Sequence, residues 1–303
     1  MQNILVTGGA GYIGFHTSYF LLEKSYNIFI LDNLSNSLKK NIDFLENKYN
    51  KVKKNFYFFE KDIKNYSSIK SIFEYAAEIN KPIDSVIHFA GLKSVSESID
   101  EPLKYWKNNV VGSINLFNVM NEFNCNNIVF SSTACVYGKE NIPPFPENSI
   151  INPENPYGNT KATVESILIN LFDSNPEKWN IGILRYFNPI GSIPYFFTAE
   201  NFDKKTSNIF PLLCKAAFFD DFIFTVNGNN WDTIDGSGVR DYIHINDLVR
   251  AHYLALKYLF ENKSMLNKIV LNLGTGEGTS VLELIKIIEM VSGKKINYNF
   301  GPK

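Results

Sequence analysis

Cysteine and histidine are both scarce in this sequence, and their spacing excludes two common kinds of site. The three cysteines, Cys125, Cys135 and Cys214, are an odd number without a CxxC pair, so neither a disulfide framework nor a zinc site is indicated. The four histidines show no HExxH spacing. We therefore expect no bound metal, reduced thiols, and imidazoles that are partly buried and hydrogen-bonded.

The sequence also lacks an excess of charge of either sign, and it lacks long apolar runs. The chain has 303 residues, 30 of them basic and 31 acidic, for a formal net charge of -1, and no basic stripe interleaved with aromatic residues stands out. We therefore expect no nucleic-acid partner. Its apolar runs are all shorter than the roughly 20 residues of a membrane span, and Met1 leads at once into the strand-like NILVT. These features predict a cytosolic protein without membrane association.

What the sequence does contain is a regular alternation of two kinds of segment. Stretches with helical periodicity separate short apolar runs that are typical of strands buried on both faces, namely NILVTG, NIFILD, FYFFEKD, SVIHFAG, NIVFSS and IGILRYF. This alternation predicts an α/β fold with a doubly wound parallel sheet, covered by helices on both faces. Ligands of such folds bind at the carboxyl ends of the strands, where the unusual residues of this chain cluster.

The first of these strands is followed by a glycine-rich turn, TGGAGYIG, that opens a helix. Gly8, Gly11 and Gly14 would permit a tight turn, close approach of a pyrophosphate to backbone N–H groups, and tight packing of helix on sheet. Asp32 ends the second strand, where a carboxylate would accept hydrogen bonds from an adenosine ribose and repel a 2′-phosphate. Together they predict a Rossmann fold with NAD, rather than NADP, as cofactor. Glycines that serve only a turn are the alternative.

The regular alternation of strand-like and helical segments ends after about residue 187, where the chain becomes rich in Phe and Asn. We expect an NAD-binding Rossmann domain over 1–187 and a smaller, mainly substrate-binding domain over 188–303. A segment around 238–262 is expected to return to the first domain.

Tyr157 and Lys161, in YGNTK, are a phenol and an ammonium four residues apart. On a helix both side chains would point to one side. The same spacing is common on exposed helix surfaces. The pair therefore indicates acid–base chemistry only in combination with the rest of the chain.

Seven motifs occur in one order along the chain: TGGAGYIG, DNLSNS, HFAGLKSVSES, SSTACVYG, NPYGNTK, RYFNPIG and DGSGVRDYIHINDL. On these motifs the chain, over its whole length, resembles the UDP-glucose 4-epimerases of the extended short-chain dehydrogenase/reductase family. The glycine turn and the spacing of Tyr157 and Lys161 are shared by the whole superfamily. HFAGLKSVSES and DGSGVRDYIH are much closer to the epimerases.

The resemblance implies a reaction and three catalytic residues. Tyr157 would remove the 4-hydroxyl proton of UDP-glucose or UDP-galactose while carbon 4 gives a hydride to NAD, and the 4-keto sugar would turn and take the hydride back on its other face. Lys161 would lower the pKa of the phenol from about 10 and hydrogen-bond the nicotinamide ribose. Thr133 stands where the family commonly has serine, and its hydroxyl would bridge the sugar 4-oxygen and Tyr157. NAD would stay bound throughout the turnover.

The resemblance also implies two sets of binding residues. Along the cofactor, besides Tyr157 and Lys161, it places Gly8, Gly11, Tyr12, Ile13, Gly14, Asp32, Asn33, Asn36, Asp62, Ile63, Phe89, Ala90, Gly91, Lys93, Asn109 and Phe187. Along the sugar nucleotide it places Thr133, Asn188, Asn208, Ile209, Asn227 and Arg240. Arg240 suits the diphosphate, since a guanidinium forms paired hydrogen bonds to phosphate oxygens. From residue type alone, Asn188 could equally be a turn residue, and Arg240 could pair with Asp235 or Asp241.

The sequence departs from the family pattern at three places. Asn227 stands where a phenylalanine that packs on the uracil is common. The stretch YFFTAENFDKK replaces a glycine-rich segment, so we expect a different loop near the substrate. Relatives continue past Lys303 through an Arg-Gly-Asp segment that grips the UDP. We therefore expect this chain to be a fragment or to bind its substrate incompletely.

Other functions share parts of this pattern. A sugar-nucleotide 4,6-dehydratase needs an Asp and a Glu directly after the threonine, where this chain has Ala134 and Cys135, so the sequence disfavours it. A UDP-glucuronate decarboxylase remains an alternative. So does a truncated NAD-binding protein without activity, although the intact Thr133, Tyr157 and Lys161 argue against it.

Two stretches with helical periodicity carry enough apolar positions to form a homodimer. They are EPLKYWKNNVVGSINLFNVMNEF and YGNTKATVESILINLF. Packing into the core of one chain uses the same pattern, so both arrangements are compatible with the sequence.

Overall fold

The computed structural model describes residues 1–50, 54–193, 208–262 and 267–303. Its strands are β1 (Asn3–Thr7), β2 (Asn27–Asp32), β3 (Phe56–Glu60), β4 (Ser85–His88), β5 (Asn127–Thr133), β6 (Asn180–Tyr186), β7 (Asn188–Ile190), β8 (Phe224–Asn227), β9 (Val239–Arg240), β10 (Tyr242–His244), β11 (Lys268–Leu273), β12 (Thr279–Ser280) and β13 (Tyr298–Gly301). The stretch YFFTAENFDKK, at 195–205, lies outside the described residues.

The α-helices alternate with the strands of the first part of the chain. They are α1 (Tyr12–Glu23), α2 (Lys39–Tyr49), α3 (Tyr66–Glu78), α4 (Val95–Asp100), α5 (Pro102–Tyr105), α6 (Gly112–Glu122), α7 (Pro156–Ser174), α8 (Ile209–Phe218), α9 (Ile245–Glu261) and α10 (Val281–Ser292). A π-helical segment (Trp106–Val111) joins α5 to α6, and a 3₁₀ turn (Ala134–Val136) follows β5.

A seven-stranded sheet in the order β11-β6-β5-β4-β1-β2-β3 is the centre of the molecule. Every neighbouring pair in it is parallel. The chain winds from β1 towards β3 on one side and from β4 towards β11 on the other. The strand order therefore reverses between β1 and β4, where ligands of open α/β sheets bind. This arrangement confirms the predicted doubly wound, Rossmann-like α/β fold.

Both faces of the sheet are buried, because successive strand residues point to opposite sides. Leu5 packs into one core beneath α3, α6 and α7. Ile4 and Val6 pack into the other, beneath α1, α2 and α9. The strand runs are apolar at nearly every position for this reason, as is typical of parallel sheets.

A smaller core lies between α8, α10 and β8, and includes Leu213, Val226 and Leu284. Three two-stranded pairings accompany it: β7 with β10, β9 with β12, and β8 with β13. The segment 238–262 contains α9, which packs against α1 and the central sheet. Strand β11 also joins the central sheet, although it lies beyond 262. The division into domains stays a prediction.

Two features are missing from the residues that the structure describes. None of their helices combines the length and the apolar character needed to cross a membrane. No group of three or more of their His, Cys, Asp and Glu side chains could hold a metal ion.

The turn after β1 depends on two glycines. Gly8 has a φ of +70°, and a Cβ at this position would lie 2.7 Å from the backbone nitrogen of Ala90. A Cβ at Gly14, in the first turn of α1, would lie 2.2 Å from the carbonyl oxygen of Gly8. Because these neighbours are backbone atoms, they cannot rotate away. Glycine at position 14 therefore lets α1 pack against the turn without a clash.

We expect Gly14→Ala to lower the free energy of unfolding by about 2 kcal/mol, because the added methyl group overlaps a backbone oxygen and this cost exceeds the roughly 1 kcal/mol by which alanine favours a helix over glycine. Urea unfolding followed by circular dichroism measures the change. Gly182→Ala is the control, since a Cβ there would meet its nearest atom at 3.6 Å. A Gly14→Ala chain as stable as its parent would contradict the close contact.

Candidate active site

The amino end of α1 offers backbone N–H groups at the point where the strand order reverses. The N-cap residue is Gly11, which has no side chain to accept hydrogen bonds from the first turn. The N–H groups of that turn have no partner within the helix, and the helix dipole makes this end electropositive. Ile13 and Gly14 belong to the same turn. The arrangement suits an anionic group such as a pyrophosphate.

Asp32 closes the other side of this turn. Its carboxylate accepts hydrogen bonds from Ala10 N at 3.0 Å, Leu34 N at 2.9 Å and Ser37 Oγ at 2.8 Å. An ionised carboxylate offers about four acceptor sites. Asp32 thus fixes both the glycine turn and the loop after β2, and retains acceptor capacity for a further donor.

Next to Asp32, the structure brings together residues from the ends of β2 and β3. Asn33 Nδ2 donates to Asp62 Oδ2 at 3.2 Å, and Asp62 Oδ1 accepts from Lys64 N at 2.8 Å. Ile63 is buried between this loop and α6, while Asn36 is exposed. Four predicted cofactor residues besides Asp32 therefore lie near the carboxyl ends of β2 and β3, and Asn36 is on the solvent side of this group.

The loop after β4 runs from this turn towards α7. Phe89 N and Ala90 N donate to the backbone oxygen and the hydroxyl of Thr7, at 3.0 and 3.2 Å. A Cβ at Gly91 would lie 3.4 Å from Asn109 Oδ1 and 3.6 Å from Lys161 Nζ. The loop of Phe89, Ala90 and Gly91 thus runs from the glycine turn to Lys161. Lys93, further along the loop, is exposed.

Asn109 holds this loop in place from the π-helical segment. Its Nδ2 donates to Leu92 O and Thr160 Oγ1, both at 3.0 Å, and its Oδ1 accepts from Leu92 N at 2.8 Å. The side chain is buried. Asn109 therefore ties the loop after β4 to α7.

Thr133, Tyr157 and Lys161 meet at the carboxyl end of β5. Helix α7 begins where it does because Asn155 caps it, accepting from Gly158 N at 2.8 Å, and because proline at the first helical position is pre-set for a helix. The Thr133 hydroxyl faces the phenol of Tyr157 and accepts a hydrogen bond from Cys135 N at 3.1 Å. Lys161 Nζ donates to Ser131 O at 2.8 Å. All three predicted catalytic side chains are buried, at 6%, 6% and 5% exposure.

Burial changes the acidity of this group. It raises the pKa of Tyr157 well above its usual value, and the neighbouring Tyr186 and Cys135 add to this increase, while the hydroxyl of Thr133 acts in the opposite direction. It lowers the pKa of Lys161 to about 8, and the carboxylate of Glu165 opposes this. At neutral pH the lysine is therefore mostly charged and the phenol protonated. A phenolate would need additional positive charge beside it.

One of the predicted sugar-nucleotide residues, Asn188, lies in the pairing of β7 with β10. Asn188 starts β7, and its N–H donates to Asp241 O at 3.0 Å, so it is a strand residue rather than only a turn residue. Phe187 lies beside it, half-buried against Gly274. Tyr12 donates its hydroxyl to Gly191 O at 2.5 Å, which ties the glycine turn to the end of this segment.

Arg240 is exposed in β9, where its Nη1 donates to Val239 O at 2.7 Å. Its two candidate partners bond elsewhere: Asp241 accepts from Thr275 and Gly276, and Asp235 accepts from Ser237 and Ser280. The guanidinium is thus held at the surface by its own strand.

The remaining three predicted substrate residues belong to the smaller core region. Asn208 is the N-cap residue of α8, and Ile209 packs against the core between α8 and α10. Asn227 is exposed at the end of β8, where its carbonyl accepts from Trp231 Nε1 at 2.9 Å.

Two charged residues beneath the site were not predicted from the sequence. Glu165 lies one turn after Lys161 on α7, and Arg185 lies in β6; they form a buried ion pair at 2.6 Å. A signal was present, because Glu165 continues the four-residue spacing of Tyr157 and Lys161, and Arg185 interrupts an apolar strand run. Charged residues are almost never fully buried unless they are paired.

Comparison with known proteins agrees with this geometry. The model of the NAD dependent epimerase/dehydratase family matches residues 4–274. UDP-glucose 4-epimerase 2 of Oryza sativa subsp. japonica is 41% identical over 303 residues, which are 100% of this chain and 72% of that protein.

Solved structures give the same result. The UDP-glucose-4-epimerase of Stenotrophomonas maltophila with bound NAD and formylated UDP-arabinopyranose superposes with a TM-score of 0.90 at 36% identity, over 100% of this chain and 87% of that one. The Bifidobacterium longum UDP-glucose 4-epimerase in complex with NAD+ and UDP gives 0.88 at 36% identity, with the same shares. The chain therefore belongs to the NAD dependent epimerase/dehydratase family.

Proposed function

We propose that this chain is an NAD-dependent UDP-glucose 4-epimerase that interconverts UDP-glucose and UDP-galactose. The observation that carries the proposal is the burial of Thr133 beside Tyr157, one helical turn from Lys161, at the carboxyl end of β5, which neighbours β4. The two solved structures described above are UDP-glucose 4-epimerases that hold NAD. The sequence match to a UDP-glucose 4-epimerase extends over the whole chain.

The residues present fit NAD. The uncapped amino end of α1, from Gly11 to Gly14, would bind the pyrophosphate through backbone N–H groups. Asp32 would accept from the adenosine ribose, with Asn33, Asn36, Asp62 and Ile63 around the adenine side. The loop from Phe89 to Lys93, with Tyr12, Asn109 and Phe187, would line the rest of the cofactor. When bound, NAD supplies the hydride acceptor and donor for carbon 4 of the sugar.

The catalytic steps of the protein itself are proton transfers. Tyr157 would remove the proton of the sugar 4-hydroxyl as general base and return it to the 4-oxygen after the sugar has turned. Thr133 would align the phenol and the 4-oxygen through its hydroxyl. Lys161 remains mostly an ammonium at neutral pH, because its pKa is about 8, and would stabilise the phenolate. Burial of all three would keep water from the ketone.

The sugar nucleotide would bind on the side of β7, β9 and α8. Arg240 is exposed and would pair with the diphosphate, where its fork of N–H donors matches phosphate oxygens. Asn188, Asn208, Ile209 and Asn227 would complete the site. We assign cofactor binding to 1–187 with the returning segment 238–262, and substrate binding mainly to 188–303.

A 4,6-dehydratase is a poorer fit to the residues after β5. Ala134 and Cys135 occupy the 3₁₀ turn directly after Thr133. A methyl group and a thiol at these positions do not supply the acid and base that elimination of water requires.

The test of the proposal is incubation of the purified chain with UDP-galactose and chromatographic measurement of UDP-glucose. We expect product without added reductant, and NAD released when the protein is denatured. A chain that releases NAD but yields no UDP-glucose would contradict the proposed substrate. A chain that holds no NAD would contradict the proposed cofactor.

Replacement of Tyr157 by phenylalanine removes the general base while keeping the ring. We expect the rate of epimerisation to fall by about a hundredfold to ten-thousandfold, the usual contribution of a positioned acid or base. The NAD content should not change. Tyr66→Phe is the control, because this phenol bonds to Glu122 on the protein surface. Equal rates for the two variants would show that Tyr157 is not the base.

Substitution of Thr133 tests the role of its hydroxyl, which faces the phenol of Tyr157. Thr133→Val keeps the shape but removes the hydroxyl, and should lower kcat by about tenfold or more, because one hydrogen bond to a group that becomes charged is worth roughly 1.5–3 kcal/mol. Thr133→Ser keeps the hydroxyl and should retain most of the rate. Steady-state kinetics with UDP-galactose distinguish them, and a Val variant as active as the Ser variant would exclude the hydroxyl from the reaction.

We also propose that two copies of the chain associate through α4, α5, the π-helical segment and α6, where large apolar side chains are exposed at Ile99, Leu103, Val111 and Ile114. Sedimentation equilibrium should give the mass of a dimer, and Leu103→Asp should give that of a monomer, because a charge in an apolar interface is costly. Met290→Asp, at an exposed position of α10, should leave the mass unchanged. A monomeric parent chain would refute this assembly.

A further inference from the structure

A buried ion pair lies beneath the three proposed catalytic residues and takes no part in the steps above. Arg185 Nε donates to both carboxylate oxygens of Glu165 at 3.1 Å, and Nη2 donates to Oε2 at 2.6 Å. The side chains are 5% and 3% exposed. Removing two such charges from water costs several kcal/mol per ion, and an apolar pair of similar volume is often as stable. Stability of the fold is therefore a weak reason for this pair.

Glu165 also bonds to the strand that carries the site. Its Oε1 accepts a hydrogen bond from the hydroxyl of Ser132. Ser132 lies in β5 between Ser131, whose carbonyl oxygen accepts from Lys161 Nζ at 2.8 Å, and Thr133, whose hydroxyl faces Tyr157. The carboxylate thus ties α7 to β5 at the residue between the two contacts of the catalytic group.

Arg185 fixes the other side of the pair. Its Nη1 donates to the hydroxyl of Tyr137 and to Glu147 O, both at 2.9 Å. These two hydrogen bonds and those to Glu165 extend in different directions from the planar guanidinium group. Helix α7, strand β6 and the segment after β5 are therefore held in one arrangement by a single side chain.

The spacing on α7 places Glu165 next to Lys161. Tyr157, Lys161 and Glu165 follow one another at intervals of four residues and share one side of the helix. Burial lowers the pKa of Lys161 to about 8, and the charge of Glu165 acts against this decrease. From β4, His88 faces the same ammonium; burial, with a further effect of Lys161, lowers its pKa to about 3, so it is neutral.

Three other titratable groups lie near the phenol. Tyr186 faces it from β6, Cys135 from the turn after β5, and Tyr105 from α5. Burial raises the pKa of Tyr186 and of Tyr105 above the usual value. Among the described residues, Glu165 is thus the anionic group whose charge acts on Lys161.

We propose that Glu165 and Arg185 are positioning residues for the epimerisation, in which their ion pair fixes α7 on β5 and gives Lys161 the anionic neighbour that keeps it an ammonium. The inference rests on the proposed function for the reaction. The charge of Lys161 can be measured without turnover.

The experiment follows the titration of Lys161 by NMR in a chain whose lysines carry a stable isotope at the terminal carbon, with the Lys161 signal assigned from its loss in Lys161→Met. Glu165→Gln removes the anion and so disfavours the ammonium. We expect the midpoint of the Lys161 titration to fall by about one pH unit, as for two charges one helical turn apart in a protein interior.

Two further variants keep the result decisive. Glu165→Gln with Arg185→Gln leaves no unpaired buried charge, so it should fold even where the single variant does not. Its midpoint should fall by less than that of the single variant, because loss of the Arg185 cation partly offsets loss of the anion. Asp173→Asn is the matched control on the same helix, since Asp173 pairs with Lys268 at 2.9 Å but is 57% exposed. Its midpoint should equal that of the parent, because solvent screens the charge. An unchanged midpoint in the folded Glu165 variants would overturn the proposal.

Kinetics provide an independent readout. In the Glu165 variants, the loss of kcat at alkaline pH should begin at a pH lower by the same amount as the NMR midpoint, whereas a merely structural role would reduce kcat equally at all pH values and would refute the inference. A parent chain without epimerase activity contradicts the proposed function, while the NMR titration still decides whether Glu165 controls the charge of Lys161.

Discussion

The contact between α7 and β5 is the constraint on which the candidate site depends. A phenol and an ammonium are brought out of water here, and each lies next to a polar group of the strand: Tyr157 faces the Thr133 hydroxyl, and Lys161 donates to the Ser131 carbonyl. Such partners are found only if helix and strand keep one register, because buried polar groups left without hydrogen bonds are costly. The apolar packing of α7 on the sheet, through Val164 and Leu168, supplies that register.

The fold could be predicted from the sequence because both faces of a parallel sheet are buried. This makes each strand an apolar run, and six such runs in alternation with helices predicted the doubly wound sheet correctly. The position of β11 was not readable. Its residues are exposed or half-buried, with no fully buried position, and only pairing with β6, more than eighty positions earlier in the chain, brings it to the sheet.

The site was readable in part. The four-residue spacing of Tyr157 and Lys161 predicts a shared helix side, and the structure has both on one side of α7, next to Thr133. The ion pair of Glu165 and Arg185 was missed because an isolated charged residue in an apolar run reveals burial but not its partner. The π-helical segment around Asn109 was missed for a similar reason, since WKNNVV has no local pattern that separates a π-helix from an α-helix.

The packing of α9 on α1 also bears on how the chain is made. Helix α1 forms early in synthesis, but Ala255, Leu256 and Leu259 of α9 complete the core on its side of the sheet. After the glycine turn has left the ribosome, more than two hundred further residues must therefore be translated before this apolar surface is covered. Contacts so distant in sequence form slowly, and exposed apolar surface promotes aggregation meanwhile. The first half of the chain thus depends on the last quarter to stay in solution during synthesis.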